Sequence, residues 1–364
     1  MQIAQIISFL ESTAPPSLQE HYDNAGLITG DTNWDCRGII CSLDATEEVV
    51  EEAIAKNCNL VVAHHPIVFG GLKKINGKNY VERAIITAIK NDIAIYAIHT
   101  NLDNVIYGVN GKMAAMIGLQ NLSILLAKDN TLKKLFTFVP ADQTEKVRHA
   151  IFESGGGQIG NYNECSFNAE GTGTFKAGKG ADPYVGNIGE RHYEKEVKVE
   201  VIFPAYLEGK IVAAMKAAHP YEEVAYDVVG LSNKHPKIGS GIVGELIQPM
   251  KENEFLEHLK KVFNLSIIRH TELKNKAIKR VAICGGAGSF LISNALRAGA
   301  DVYVTADVKY HEFFDANGKM LLADIGHYES EQFTIELIQE ILERKFPTFA
   351  VLKTEVNTNP VYYF

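Results

Sequence analysis

"RGIICSLDATEEVVEEAIAKNCNLVVAHHP", residues 37–66, decides how this chain folds. "RGIICSLDA" is a short apolar run, "TEEVVEEAIAKN" has the apolar spacing of an amphipathic helix, and "NLVVA" is a second apolar run. Two buried-looking strands joined by a helix form a parallel crossover. The second strand then ends in two adjacent histidines and a proline, His64, His65 and Pro66. An imidazole pair fits poorly inside a buried strand, so something at the strand end should want both rings.

The pattern extends outward on both sides. "YVERAIITAIKND" predicts a helix, "IAIYAIH" a strand and "NGKMAAMIGL" a helix. Near the other end, "RVAICGG", "ADVYVTAD" and "KMLLADIGH" predict strands, with "SFLISNALRAG" and "EQFTIELIQEILERKF" as helices. Short apolar strands alternating with helices imply an α/β domain with a mostly parallel sheet covered on both faces.

The middle differs. "KKLFTFVPADQTEKVRHAIFESGGGQIGNYNECSF" and "VKVEVIFPAYLEGKIVAAMKAAHPYEEVAYDVVGL" share one order: a strand ending in Phe and Pro, a helix, a turn and a strand. Two such units predict a four-stranded α+β ferredoxin-like domain. "NAEGTGTFKAGKGADPYVGNIGERHYE" between them predicts a hairpin with a mobile loop. The expected organisation is therefore one discontinuous domain over 1–129 and 237–364, interrupted by an inserted domain over 130–236.

Composition narrows the function classes. The chain of 364 residues is 46% hydrophobic and 22% charged, as in ordinary globular proteins. Its net charge of −8, without a Lys/Arg-rich run, argues against nucleic acid as a partner. "MQIAQIISFLESTAPPSL" carries Glu11 and lacks a basic start or a long apolar run, so it predicts a folded first helix of a cytoplasmic protein with no membrane segment. The five cysteines form no CxxC pair and are odd in number, which indicates neither a disulfide framework nor a thiolate zinc site.

In an open parallel sheet, ligand-binding groups gather beyond the carboxyl ends of the strands. Three strand ends deliver such groups here: His64 and His65; His99 and Asp103 of "HTNLD"; His327 and Glu331 of "GHYESE". Imidazole and carboxylate are transition-metal donors. Adjacent strand residues point to opposite faces, so His64 and His65 would serve two ions rather than chelate one. Two ions about 3.5–4 Å apart share a bridging carboxylate, and Glu331 and Asp103 are the candidates for bridging and terminal carboxylate. Each histidine taken singly also has a bland reading, as a hydrogen-bonded residue at a strand end; the clustering of three such groups favours metal. His99 either ends its strand or orients a ligand.

Other features have weaker readings. "CGGAGSF", residues 284–290, would hold a phosphate on backbone N–H groups or simply make a tight turn; it lacks the full GxGxxG spacing and the Lys of a P-loop. Asp307, Lys309 and His311, with Tyr22, Asp23 and Asn24, either line the pocket or are surface polar groups. His219 either faces the main site or caps the preceding helix.

Five blocks carry a resemblance: "DNAGL", "AHHPIVF", "HTNLD", "TADVKYHE" and "DIGHYESE". Together they resemble the signature of the NIF-three-like family of dinuclear-metal proteins, often labelled GTP cyclohydrolase 1 type 2 homologues. The middle domain is similar to the PII-like insert of the longer bacterial members. The resemblance implies metal ligands at His64, His65, Asp103, His327 and Glu331, the positions that the strand-end argument also reaches. It implies two divalent ions per chain (Zn, Fe, Mn or Co) and ring-shaped homohexamers with the metal sites facing a central cavity. The expected activity is hydrolysis of a nucleotide or related small molecule by metal-bound hydroxide, with His99 or Lys309 on the substrate side. The label implies opening of the purine ring of GTP with loss of formate. The alternative is a non-catalytic metal-binding, metal-delivery or regulatory protein.

Overall fold

The computed structural model describes residues 1–364. The chain divides into two compact units, Met1–Ala127 with Pro236–Phe364, and Lys128–His235. The strands in chain order are β1 (Gly26–Thr29), β2 (Ile39–Ser42), β3 (Leu60–Ala63), β4 (Ala94–Ala97), β5 (Leu119–Ala127), β6 (Leu132–Pro140), β7 (Phe167–Lys176) and β8 (Arg191–Pro204). They continue as β9 (Tyr226–Gly230), β10 (Gly239–Lys251), β11 (Arg269–His270), β12 (Ala277–Ala287), β13 (Val302–Ala306), β14 (Leu321–Asp324) and β15 (Val351–Lys353).

The discontinuous unit holds two mixed sheets. The first has the order β1-β4-β3-β2-β15, in which β1 runs antiparallel to β4 and the other neighbours are parallel. Along β3 the side chains alternate between two cores. Leu60 and Val62 join the cluster built on Ile3, Ile6, Leu10 and Ile338, while Val61 and Ala63 join the cluster built on Val49, Val50, Ala84 and Ile85. A strand apolar on both faces can only lie between helices. Those helices are Ile3–Thr13 and Thr334–Lys345 on one side, Glu47–Ala55 and Tyr80–Lys90 on the other. The two helices of the second pair start on side-chain caps: Thr46 Oγ1 accepts the Val49 N–H, and Asn79 Oδ1 accepts the Glu82 N–H.

The second sheet has the order β11-β14-β13-β12-β10-β5, with only β12, β13 and β14 mutually parallel. Val281, Ile283, Val302 and Val304 face a core with Phe255, Leu259 and Phe263, and Ala282, Tyr303 and Leu322 face a second core with Leu291 and Ile292. Burial of Phe255 and Phe263, both fully enclosed, contributes about 1.5–3 kcal/mol each.

The mostly parallel sheet expected from the sequence is two mixed sheets, the first parallel apart from β1 and the second parallel only over β12, β13 and β14. The second sheet departs furthest, because β10 runs antiparallel to both β12 and β5, with Gly239 opposite Ala127. Antiparallel neighbours can be joined from the end where one leaves and the other returns. The chain leaves β5 at that end, makes the whole Lys128–His235 unit, and comes back as β10.

In the Lys128–His235 unit the succession is β6, helix Thr144–Glu153, β7, β8, helix Glu208–Ala218, β9. Its four strands lie in the order β7-β8-β6-β9, each antiparallel to its neighbours. Leu135 and Val139 of β6, with Val199, Val201 and Phe203 of β8, bury one face against Val147, Ile151, Ile211 and Met215 of the two helices. No helix of the protein is long and apolar enough to cross a membrane.

Candidate metal centre

The rim beyond β2, β3, β4, β12, β13 and β14 collects the polar side chains. β3 ends at Ala63, and the next two N–H groups continue the ladder, His64 to Ser42 O and His65 to Leu43 O. His64 and His65 leave the strand end with ring centroids 5.0 Å apart. Thr100–Asp103 forms a single helical turn after β4, and His327–Glu331 forms another after β14, started by Gly326 at φ 92°.

Five of the seven candidates converge in two groups, His64 with Asp103 and Glu331, and His65 with His327 and Glu331; in each, one donor atom per residue lies within 4.8 Å of the others. His99 joins a third group with His64 and His65. Glu331 belongs to the first two and divides its oxygens between them. Oε1 is 3.9 Å from His64 Nε2, while Oε2 is 2.9 Å from His65 Nε2 and 3.1 Å from His327 Nε2.

The first group fits a cation. His64 Nδ1–H donates to Ile98 O at 2.8 Å, which leaves Nε2 with its lone pair. That Nε2 and Asp103 Oδ1 are buried without hydrogen-bond partners and stand 3.6 Å apart. Two acceptors at this distance cannot bond each other, but two donors each about 2.1 Å from one tetrahedral ion stand about 3.4 Å apart. Burial lowers His64 to about 3, so the ring is neutral, as a ligand must be. Burial and the adjacent Glu331 carboxylate push Asp103 well above the usual carboxylate range. Glu331 shifts the other way: its burial is outweighed by the hydrogen bonds of His327 and His65, which hold it well below that range. Shared positive charge at this point satisfies both carboxylates.

The second group is more open, with His327 40% exposed at its side chain. Without a metal, a proton takes the cation's place. Burial disfavours charge on His65, but Asp44 and Glu331 raise it to about 10; Glu331 and Asp307 likewise raise His327 to about 9. Every ring in the cluster is steered from behind by an oxygen: His64 by Ile98 O, His65 by Asp44 at 2.8 Å, His99 by Asp23 at 2.8 Å, and His327 by Asp307 at 2.7 Å. A carboxylate or carbonyl behind each imidazole is the arrangement that fixes tautomer and direction in metal-binding histidines. Asp23 is itself held down at about 2, since hydrogen bonds from His99 and Thr100 outweigh its burial.

Two glycines of "CGGAGSF", Gly285 and Gly286, lie against Glu331. Gly286 sits at φ 62°, and a Cβ there would lie 2.4 Å from Glu331 Oε1 and 3.4 Å from His327 Cε1. Its N–H donates to Ser330 Oγ, and the Gly285 N–H donates to Asn110 Oδ1, tying β12 to the two helices that bracket the cluster.

The cluster opens into a cavity of about 1070 Å³. Tyr22, Phe69, Tyr80 and Phe290 line it and are each more than half exposed. His99 and Asp307 line it as well, whereas Lys309 and His311 do not. Asp307 takes a left-handed backbone (φ 55°), and the chain turns away from the rim into the Tyr310–Ala316 turn that Lys309 precedes. His219 caps the Glu208–Ala218 helix and bonds Phe138 O and the Tyr221 N–H, within the Lys128–His235 unit. Sequence reasoning missed Asp44. Its only signal is its position just past β2, the parallel neighbour of β3.

Comparison with known proteins agrees over nearly the whole chain. A model of the Duf34/NIF3 (NGG1p interacting factor 3) family matches residues 1–360. The chain is 39% identical over 360 residues to the GTP cyclohydrolase 1 type 2 homolog of Halalkalibacterium halodurans, covering 98% of this chain and 97% of that one. The Bacillus subtilis protein of the same description is 37% identical over 362 residues, covering 98% and 97%. A Bacillus cereus protein related to NIF3 has a similar crystal structure, with a TM-score of 0.88 and 38% identity over 100% of this chain and 99% of that one.

Proposed function

The chain belongs to the Duf34/NIF3 (NGG1p interacting factor 3) family, and we propose that it is a dinuclear metal-dependent hydrolase acting on a nucleotide or related small molecule. The division of the Glu331 carboxylate between two donor groups carries this proposal. His64, Asp103 and Glu331 would hold one ion, and His65, His327 and Glu331 the other. When bound, a pair of divalent cations (Zn, Fe, Mn or Co suits these donors) acidifies coordinated water and polarises the centre under attack.

The chain's own residues supply the rest. Asp23 accepts the His99 Nδ1–H, so His99 presents Nε2 beside His64 and His65, where it would accept or return a proton. The aromatic rim of Tyr22, Phe69, Tyr80 and Phe290 suits a planar ring, and the cavity has room for a small organic molecule. A cavity open to solvent beside the donors favours chemistry over a closed structural site. The description of the relatives makes GTP the first compound to test.

The exposure of His327 favours a second reading, metal delivery or regulation, because an ion held partly by an exposed ring exchanges readily. We extend the proposal to the domains: a ferredoxin-like, PII-like insert over 130–236 within a discontinuous domain over 1–129 and 237–364. The strand-helix succession and the order β9-β6-β8-β7 support that reading. The homohexamer implied by the resemblance belongs to the same proposal.

The test is to load purified protein with each metal and assay formate release from GTP and hydrolysis of other nucleotides and phosphoesters. Turnover that disappears in Asp103→Asn and His327→Ala supports the hydrolase. Two bound ions with no turnover of any compound would favour delivery or regulation.

A further inference from the structure

We propose that the segment following β15 is a working part of the metal centre, in which Thr358 positions His65 through Asp44 and thereby sets the affinity of the His65–His327–Glu331 position alone. The inference rests on the two-ion reading above. It concerns a stretch, residues 354–364, whose sequence carries no metal-donor motif.

The contacts form an unbroken line. Thr358 Oγ1–H donates to Asp44 Oδ2 at 2.6 Å, and Asp44 Oδ1 accepts the His65 Nδ1–H at 2.8 Å. His65 Nε2 then faces Glu331 Oε2 at 2.9 Å. Thr358 thus occupies one carboxylate oxygen and leaves the other for the imidazole. An aspartate lacking that hydroxyl has two equivalent oxygens and a free side-chain torsion with which to turn from the ring.

The segment is anchored on both sides of Thr358. The Thr354 N–H donates to Cys41 O, the Glu355 N–H donates to Glu52 Oε1, and Val356 packs against the core under β3. Beyond it, Asn359 Nδ2 reaches Glu329 Oε1 at 3.4 Å, and Tyr363 lines the cavity. Thr358 is therefore presented to Asp44 from a fixed strap.

The other position is steered differently. His64 is held by the Ile98 carbonyl, a backbone group that no side-chain change removes, and its Nε2 faces Asp103 Oδ1 at 3.6 Å. The two metal positions are consequently unequal. One is held by the buried His64 ring and a main-chain carbonyl, and the other depends on a side-chain relay whose first hydrogen bond joins residues 314 apart in sequence.

The experiment is zinc titration of chelator-treated full-length protein against a competing chromophoric chelator, for the wild type, Thr358→Val and Thr358→Ser. Circular dichroism confirms the fold of each. The expected result is two ions in the wild type, with one site weakened about tenfold in Thr358→Val, the other unchanged, and both restored in Thr358→Ser. Two ions bound by Thr358→Val with wild-type affinities, or equal weakening at both sites, would overturn the relay. A wild type that binds no zinc would instead overturn the two-ion reading on which the relay rests.

Discussion

Glu331 Oε2 stands 2.9 Å from His65 Nε2, although 266 residues of chain separate the two. The contact joins the rims of the two sheets in the discontinuous unit: His65 follows β3 of the first, and Glu331 follows β14 of the second. Since Glu331 belongs to both donor groups, its removal should act differently from removal of any other donor. Glu331→Gln is expected to lose both ions, whereas Asp103→Asn and His327→Ala each lose the ion of one group and keep the fold. Elemental analysis of the three variants checks this, and a Glu331→Gln protein that keeps a full metal complement would contradict the bridging role.

Gly286 lies against that carboxylate. Gly286→Ala places a methyl group 2.4 Å from Glu331 Oε1 at a φ of 62°. The strained backbone alone costs about 1–2 kcal/mol, and the clash forces Glu331 out of line with both groups. Urea unfolding should show the loss of stability, and metal analysis a lowered content; a variant unchanged in both would mean that the turn has room to spare.

At the proposed centre, protons and metal would compete for the same nitrogens. In the metal-free protein His65 is raised to about 10 and His327 to about 9. Their contribution to metal-free stability is present below the unfolded value of 6.5 and is lost as pH rises through about 9 to 10. Metal must displace these protons, so affinity should increase with pH up to the same range, with proton release near pH 7.5. Calorimetric titration in buffers of different ionisation enthalpy measures that release; a binding enthalpy independent of the buffer would contradict it.

Asp23 has the opposite sign. Its folded value, held at about 2, adds stability above the unfolded carboxylate range and loses it as pH falls toward 2. Its side chain is fully buried and accepts from His99 Nδ1, the Thr100 N–H and the Thr100 hydroxyl. Asp23→Asn should cost about 1–3 kcal/mol in chemical unfolding. Metal content should stay unchanged, because His99 belongs to neither group that contains Glu331. Loss of both ions in this variant would place His99 among the ligands.

The parts of the site legible in the sequence are those carried by short parallel strands. β3, β4 and β14 are apolar on both faces, so their ends stand out, and His64, His65, Asp103, His327 and Glu331 follow them directly. β5 and β10 were not legible. They are partly exposed strands with broken alternation, and their pairing is interrupted in sequence by the whole Lys128–His235 unit. Asp44 and Thr358 were invisible for a related reason. Asp44 reaches His65 from the end of the neighbouring strand and Thr358 reaches Asp44 from beyond β15, and neither contact leaves a periodic trace along the chain. Lys309 shows the converse, since it follows β13 closely but the left-handed turn at Asp307 carries the chain off the rim.

The most direct test of the dinuclear centre is the metal content per chain of protein purified without chelators or a metal-affinity column, measured by elemental analysis. Two ions per chain, falling below one in Glu331→Gln, is the expected result. A content near zero that added zinc, iron, manganese or cobalt does not restore would contradict the centre itself.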